Sequence, residues 1–238
     1  MKFFSTNSPL YQFLCRLWDI IQVNFFWLLG CLPVVTIGAS TAAAFKVCLH
    51  LAEEREGYIY KEYWEGFKEN WKQGTVLEAI VFLCVYVIYL DLQLFEAVAG
   101  NPIWILVVTI VSGFLFVFSL LYAFPLIARY ENTIPGTLKN SLRISRRYFG
   151  RTMAMVAVVL FEVLIWMFNS TTVFIGFLIG PACIMYTIAG MSLGTFREVE
   201  QEAREKAGNE GDFPVEDSEV SEEKDGKGEE DDLQKTGN

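Results

Sequence analysis

The sequence predicts an all-α membrane protein: a polytopic bundle of five to six helices, with amphipathic cytoplasmic helices between spans and a disordered acidic tail. Three observations carry this. Apolar stretches lie at about 20–45, 76–94, 102–127, 152–168 and 173–191. Each is close to the roughly 20 residues that a helix rising 1.5 Å per residue needs to cross a hydrocarbon core of about 30 Å. They lack the ten-residue length and period-two alternation of barrel strands. Backbone groups in lipid must find partners within the segment, so the spans are helices. Finally, Lys and Arg fall only in alternate connections.

The first stretch is the most irregular. Residues 26–45, FWLLGCLPVVTIGASTAAAF, carry no charge, yet Pro33 interrupts them and the second half is small-sided from Gly38 onward. Upstream, Leu10, Phe13, Leu14, Leu17, Trp18, Ile21 and Phe25 recur at helical steps. Ser8 and Pro9 suit a helix start. Two readings stand open here. Either helices at about 9–32 and 38–54 form a hairpin broken at Pro33 and Gly38, or Pro33 bends one continuous span.

Next comes an amphipathic helix. Tyr60, Trp64, Phe67 and Trp71 make an aromatic stripe, with Lys61, Glu62, Glu65, Lys68, Glu69 and Lys72 on the other side. Such a helix belongs at the membrane interface or packed beneath the bundle. The connection after the third apolar run has a basic face of Lys139, Arg143, Arg146 and Arg147. These cations set topology or meet anionic headgroups. WKQGT at 71–75 and YFGRT at 148–152 both lead into spans, a weak sign of duplication.

Five Lys or Arg lie between the first two apolar runs, none at 95–101, six between the third and fourth, none at 169–172, and Arg197 follows the last. The positive-inside rule places 46–75, 128–151 and the C-terminus in the cytoplasm of a multi-pass cell-membrane protein. From 198 to 238 there are 16 acidic and 5 basic residues. That net −11 exceeds the −9 of the whole chain and leaves 1–197 at +2. The acidity therefore belongs to a tail at 198–238, expected to be disordered, and not to the membrane domain at 1–197.

Several classes are excluded or disfavoured. His50 is the only histidine, and the five cysteines have no C-x-x-C spacing, so buried free thiols are expected rather than zinc or disulfides. No nucleotide-binding loop, nucleophile elbow or metalloprotease motif appears. The expectation is no enzyme activity, no cofactor, no metal and no nucleic acid. The partners expected are the lipid bilayer and a transporter or signalling membrane protein, with the oligomeric state open.

LPVVTIGASTAA at 32–43, YKEYWEGFKENWKQGT at 60–75 and TLKNSLRISRRYFGRT at 137–152 together resemble the YesL-like family of bacterial integral membrane proteins, a domain of unknown function. The resemblance covers about 10–195. It implies no catalytic residues. It implies a role near carbohydrate uptake or utilisation, because members are often encoded beside such systems in Gram-positive bacteria.

Among polar groups in the spans, Glu162 is the leading candidate, since an ionised carboxylate at mid-span costs about 2.5 kcal/mol or more. Asp91 lies toward the same outer half, so a shared Glu162–Asp91 site is one expectation. A protonated structural glutamate is the other. Thr36, Ser40 and Thr41 border the Pro33 break and are read first as packing residues. Pro125 and Pro181 are expected to kink their helices. The function expected is that of an accessory protein to a carbohydrate system; the alternative is a small-solute transporter or channel using the polar groups of the spans.

Overall fold

The computed structural model describes residues 9–55, 57–98, 103–130 and 133–210, with side chains as far as 205. Among these residues there are seven α-helices and no strand: α1 Pro9–Gly30, α2 Ile37–Ala52, α3 Ile59–Ala97, α4 Ile103–Arg129, α5 Ile134–Arg147, α6 Phe149–Trp166 and α7 Ser170–Glu210. All except α5 are long and apolar enough to cross a membrane. The protein is a multi-pass helical membrane protein. Its contacts are described below within the unit that ends at Val199; a second unit begins at Glu200.

The break at Pro33 makes a hairpin. Helix α1 stops at Gly30, Pro33 is extended, and a short 3-10 turn at Val34–Thr36 leads into α2. Thr36 is buried and fastens the turn: its hydroxyl bonds the Gly30 carbonyl at 2.7 Å and the Pro33 carbonyl at 2.8 Å. The helices then run back along each other. The Trp27 indole N–H donates to Thr41 Oγ1 at 3.1 Å, and Arg16 Nη1 donates to the Leu51 carbonyl at 2.7 Å. Helix α2 ends in a 6→1 and 5→2 pattern, from Arg55 N–H to His50 O and Glu54 N–H to Leu51 O. Glu54 holds the left-handed position of this cap, at φ 55°.

The amphipathic segment does not form a separate helix beneath the bundle. It is the first half of the 39-residue α3, continuous with the span that follows. Nothing at WKQGT terminates it: Gly74 is a weak helix former, but the sequence around it supplies no proline or cap. The buried face also differs from the aromatic stripe. It is Ile59, Tyr63, Gly66, Asn70, Gly74, Leu77 and Glu78, while Tyr60 and Trp71 stay exposed. This face runs antiparallel to α2, with His50 Nδ1 3.2 Å from Glu62 Oε2 and Lys46 paired to Glu69.

Close approach of α2 and α3 depends on two glycines. A Cβ on Gly74 would sit 2.6 Å from the Ala39 Cα and N, and one on Gly38 would collide with the Gly74 carbonyl. Helix α5 is held differently. Its buried face is Thr137, Ser141 and Ser145, with the Ser145 hydroxyl donating to the Phe118 carbonyl at 2.7 Å and Ser141 to that of Ser119.

The core is uneven along the bundle. It gathers Val23, Phe45, Val47, Tyr63, Leu121, Tyr122, Met155, Leu193 and Phe196. In the apolar window of α2, 67% of residues are buried in the chain, against 11% in α3 and 11% in α6. All five cysteines are free, but only Cys48 is buried, and Cys15 is exposed on α1. Helix α7 runs to Glu210, because Glu, Ala, Arg and Lys after 197 are good helix formers. The rest of the acidic tail, from 211, and Ser8 lie outside the described residues.

Gly74→Ala is expected to cost about 1–3 kcal/mol, read as unfolding in detergent. Gly113→Ala serves as control, since its Cβ would meet only Ile88 Cδ1, at 4.0 Å. Equal stability of the two variants would show that the α2–α3 contact is not tight.

Candidate functional site

Glu162, Asp91 and Glu78 lie in the apolar stretches of α6 and α3, and each has a different environment. Glu162, on α6, is half-buried and accepts a 2.6 Å hydrogen bond from Thr187 Oγ1 of α7. Its other oxygen is buried, with no hydrogen-bond partner among the described residues. Asp91 is half-buried on the second half of α3 and forms no hydrogen bond or ion pair among those residues. The two share no bond and no common partner.

Glu78 is the most enclosed of the three, at 5% exposure. Its Oε2 accepts the Gly38 N–H at 2.9 Å, so a side chain of α3 caps the first turn of α2. That placement sets a carboxylate against the positive end of a helix, a favourable interaction. Its Oε1 is buried without a partner among the described residues. The sequence signal for Glu78 was its position four residues beyond Gly74, on the same helical face. The signal was weak because nothing local indicates that Gly38 is the partner.

The hydroxyls beside the Pro33 break are all engaged in helix packing. Ser40 Oγ donates to the Trp27 carbonyl at 2.9 Å, so its contact with Tyr63 OH, at 2.8 Å, takes its proton from the tyrosine. Thr41 Oγ1 donates to the Ile37 carbonyl at 2.7 Å. Pro33 and Gly38 thus have separate tasks: Pro33 starts the turn, and Gly38 admits the α3 backbone and meets Glu78.

Asn24 is a polar residue that sequence reasoning missed. It is 1% exposed. Proline at 181 has no N–H to offer the Phe177 carbonyl four residues earlier. Asn24 Nδ2 reaches that carbonyl at 3.4 Å and the Leu178 carbonyl at 2.6 Å, while its Oδ1 accepts the Ala182 N–H at 3.2 Å. The α7 irregularity is thereby satisfied from α1. The pairing spans more than 150 residues, so no local pattern announces it.

At the ends of α2 and α4, Glu53 pairs with Arg129, and with Arg55 at 2.6 Å. Burial alone would raise the Glu53 carboxyl. The Arg129 guanidinium, helped by Arg55 and His50, outweighs burial and holds it below the ordinary carboxylate range. Lys139, Arg143, Arg146 and Arg147 are all exposed on α5. Among the described residues, no group of three or more His, Cys, Asp or Glu is arranged to hold a metal ion.

Residues 20–92 match the family described as "Protein of unknown function, DUF624". The match contains the turn at Pro33, Asn24, Gly38, Gly74 and Glu78. The uncharacterized protein YteU of Bacillus subtilis (strain 168) is 32% identical over 134 residues, which cover 56% of this chain and 60% of the relative. The chain therefore spans less than two thirds of that relative's length. No solved structure matches.

Two measurements check these assignments. Asn24→Leu is expected to cost about 1–3 kcal/mol by orphaning α7 backbone groups. The cost should shrink in a Pro181→Ala background, where residue 181 regains its N–H; additive effects would rule out the coupling. A depressed Glu53 pKa stabilises above its unfolded value of about 4.3 and loses that contribution as pH falls through the lower folded value. The Tm in detergent should drop in that acid window. Glu53→Gln should remove part of the drop and cost about 3 kcal/mol at neutral pH; an unchanged acid profile would refute the assignment.

Proposed function

We propose that the protein is a non-enzymatic accessory subunit of the cell membrane, assembling laterally with a transporter or signalling component of a carbohydrate uptake or utilisation system. The observation that carries the assembly role is the bareness of the second half of α3 and the first half of α4. Phe82, Tyr86 and Tyr89 on one helix and Trp104, Val108 and Phe114 on the other are exposed within the chain. Most of the buried residues of these helices lie toward their other end. A helix pair so lightly engaged by its own chain, and rich in aromatic surface, suits a membrane partner.

The polar interior supports a scaffold over a conduit. Asn24, Ser40 and Tyr63 spend their hydrogen bonds on a neighbouring helix, and Glu78 spends one carboxylate oxygen on the start of α2. The carbohydrate context rests on the resemblance to the YesL-like family, a narrower placement than the matched family of unknown function. The distribution of Lys and Arg supports an orientation with 46–75, 128–151 and the C-terminus in the cytoplasm.

Purification of the full chain from its own cells in mild detergent is expected to recover a membrane transporter or signalling protein. The variant Phe82→Ala/Tyr86→Ala/Tyr89→Ala should lose that partner while remaining folded. Cells lacking the gene should grow poorly on at least one plant polysaccharide. Sugar flux through proteoliposomes of the chain alone would sink the proposal, as would normal growth on every carbohydrate.

A further inference from the structure

We propose that the basic face of α5, Lys139, Arg143 and Arg146, docks the anionic phospholipid headgroups of the leaflet that α6 enters. Helix α5 has two chemically opposed faces. Thr137, Ser141 and Ser145 are fully buried, two of them bonded to α4 carbonyls. The face they leave outward carries Lys139, Arg143 and Arg146 at i, i+4 and i+7, one above another on the helix. All three are exposed, and among the described residues none forms a hydrogen bond or ion pair.

The contrast with α3 shows that such a face is not inevitable. Over 59–75, Lys61, Lys68 and Lys72 are balanced by Glu62, Glu65 and Glu69. Lys61 pairs with Glu65 at 4.0 Å, and Glu69 pairs with Lys46 of α2. From Ile134 to Arg147 there is no acidic residue at all. A row of cations without internal counter-charges calls for counter-charges from outside.

The position of α5 favours lipid over a soluble acidic partner. Only Tyr148 separates α5 from α6, an apolar helix long enough to span. The Arg147 and Arg151 guanidiniums lie 5.8 and 5.5 Å from the Tyr148 ring centre. Tyrosine with flanking arginines marks the headgroup level of a membrane helix. Arg146 is two residues from that level. Lys139 is nine residues away, about 14 Å along the helix axis. The long side chains and a Debye length of about 8–10 Å keep the whole row within the field of an anionic surface.

The test uses the full chain in phosphatidylcholine nanodiscs with increasing phosphatidylglycerol, counting lipids retained on the intact protein by mass spectrometry. The native chain should retain phosphatidylglycerol preferentially, and 0.5 M NaCl should weaken that preference. Lys139→Gln/Arg143→Gln/Arg146→Gln should lower phosphatidylglycerol retention by up to roughly five-fold per neutralised cation, with phosphatidylcholine retention unchanged as evidence of an intact bundle. The charge-preserving Lys139→Arg/Arg143→Lys/Arg146→Lys should retain the preference. Equal retention of both lipids by the native chain would overturn the proposal, as would an undiminished preference in the glutamine variant. So would preferential capture of an acidic protein segment over phosphatidylglycerol.

Discussion

Inside a membrane bundle, any helix that stops or bends frees backbone groups that water cannot reach, and other helices must satisfy them. This constraint governs the chain at three places. Where α1 stops, Thr36 bonds the freed carbonyls of Gly30 and Pro33. Where α2 begins, Glu78 of α3 accepts the Gly38 N–H. Where Pro181 interrupts α7, the Asn24 amide of α1 supplies both donor and acceptor. Each repair comes from a residue that also fixes one helix against another, so continuity of hydrogen bonding and helix arrangement are one problem.

The same logic explains why the tight core sits where the breaks are. Gly38 and Gly74 allow α2 and α3 to approach at backbone distance, which brings Glu78 within reach of the α2 terminus. Ser40 and Tyr63 then tie the end of α1 into the contact. Further along, the second half of α3 and the first half of α4 contain no internal proline and leave most of their side chains bare to the surroundings. The result is a braced end and an open end. The open end carries apolar side chains that its own chain leaves uncovered.

Polar contacts of two strengths brace the helix ends. Glu53 with Arg129 is largely enclosed and joins α2 to α4, so losing either partner removes a close counter-charge. Lys61 with Glu65 is exposed and contributes little. Lys139, Arg143 and Arg146 of α5 have no counterpart of either kind among the described residues. That difference, and not their number, sets them apart from the balanced charges of α3.

The sequence by itself determined the helical class, the apolar segments and the alternation of basic connections. Span length and charge distribution are local, additive properties that need no partner to be read. It also located the Pro33 break and the basic face of α5, since proline and a 3.6-residue period are visible in one segment. Only the tertiary structure decided that the chain turns back at Pro33, because Thr36, Trp27 and Thr41 must meet across the turn to show it. Tertiary structure likewise replaced the aromatic stripe of α3 with the neighbouring Tyr63–Gly66–Asn70–Gly74 face, which α2 selects by its own small residues. It brought forward Glu78 and Asn24, whose partners lie 40 and more than 150 residues away. A buried polar side chain is defined by the group it satisfies, and that group belongs to another helix.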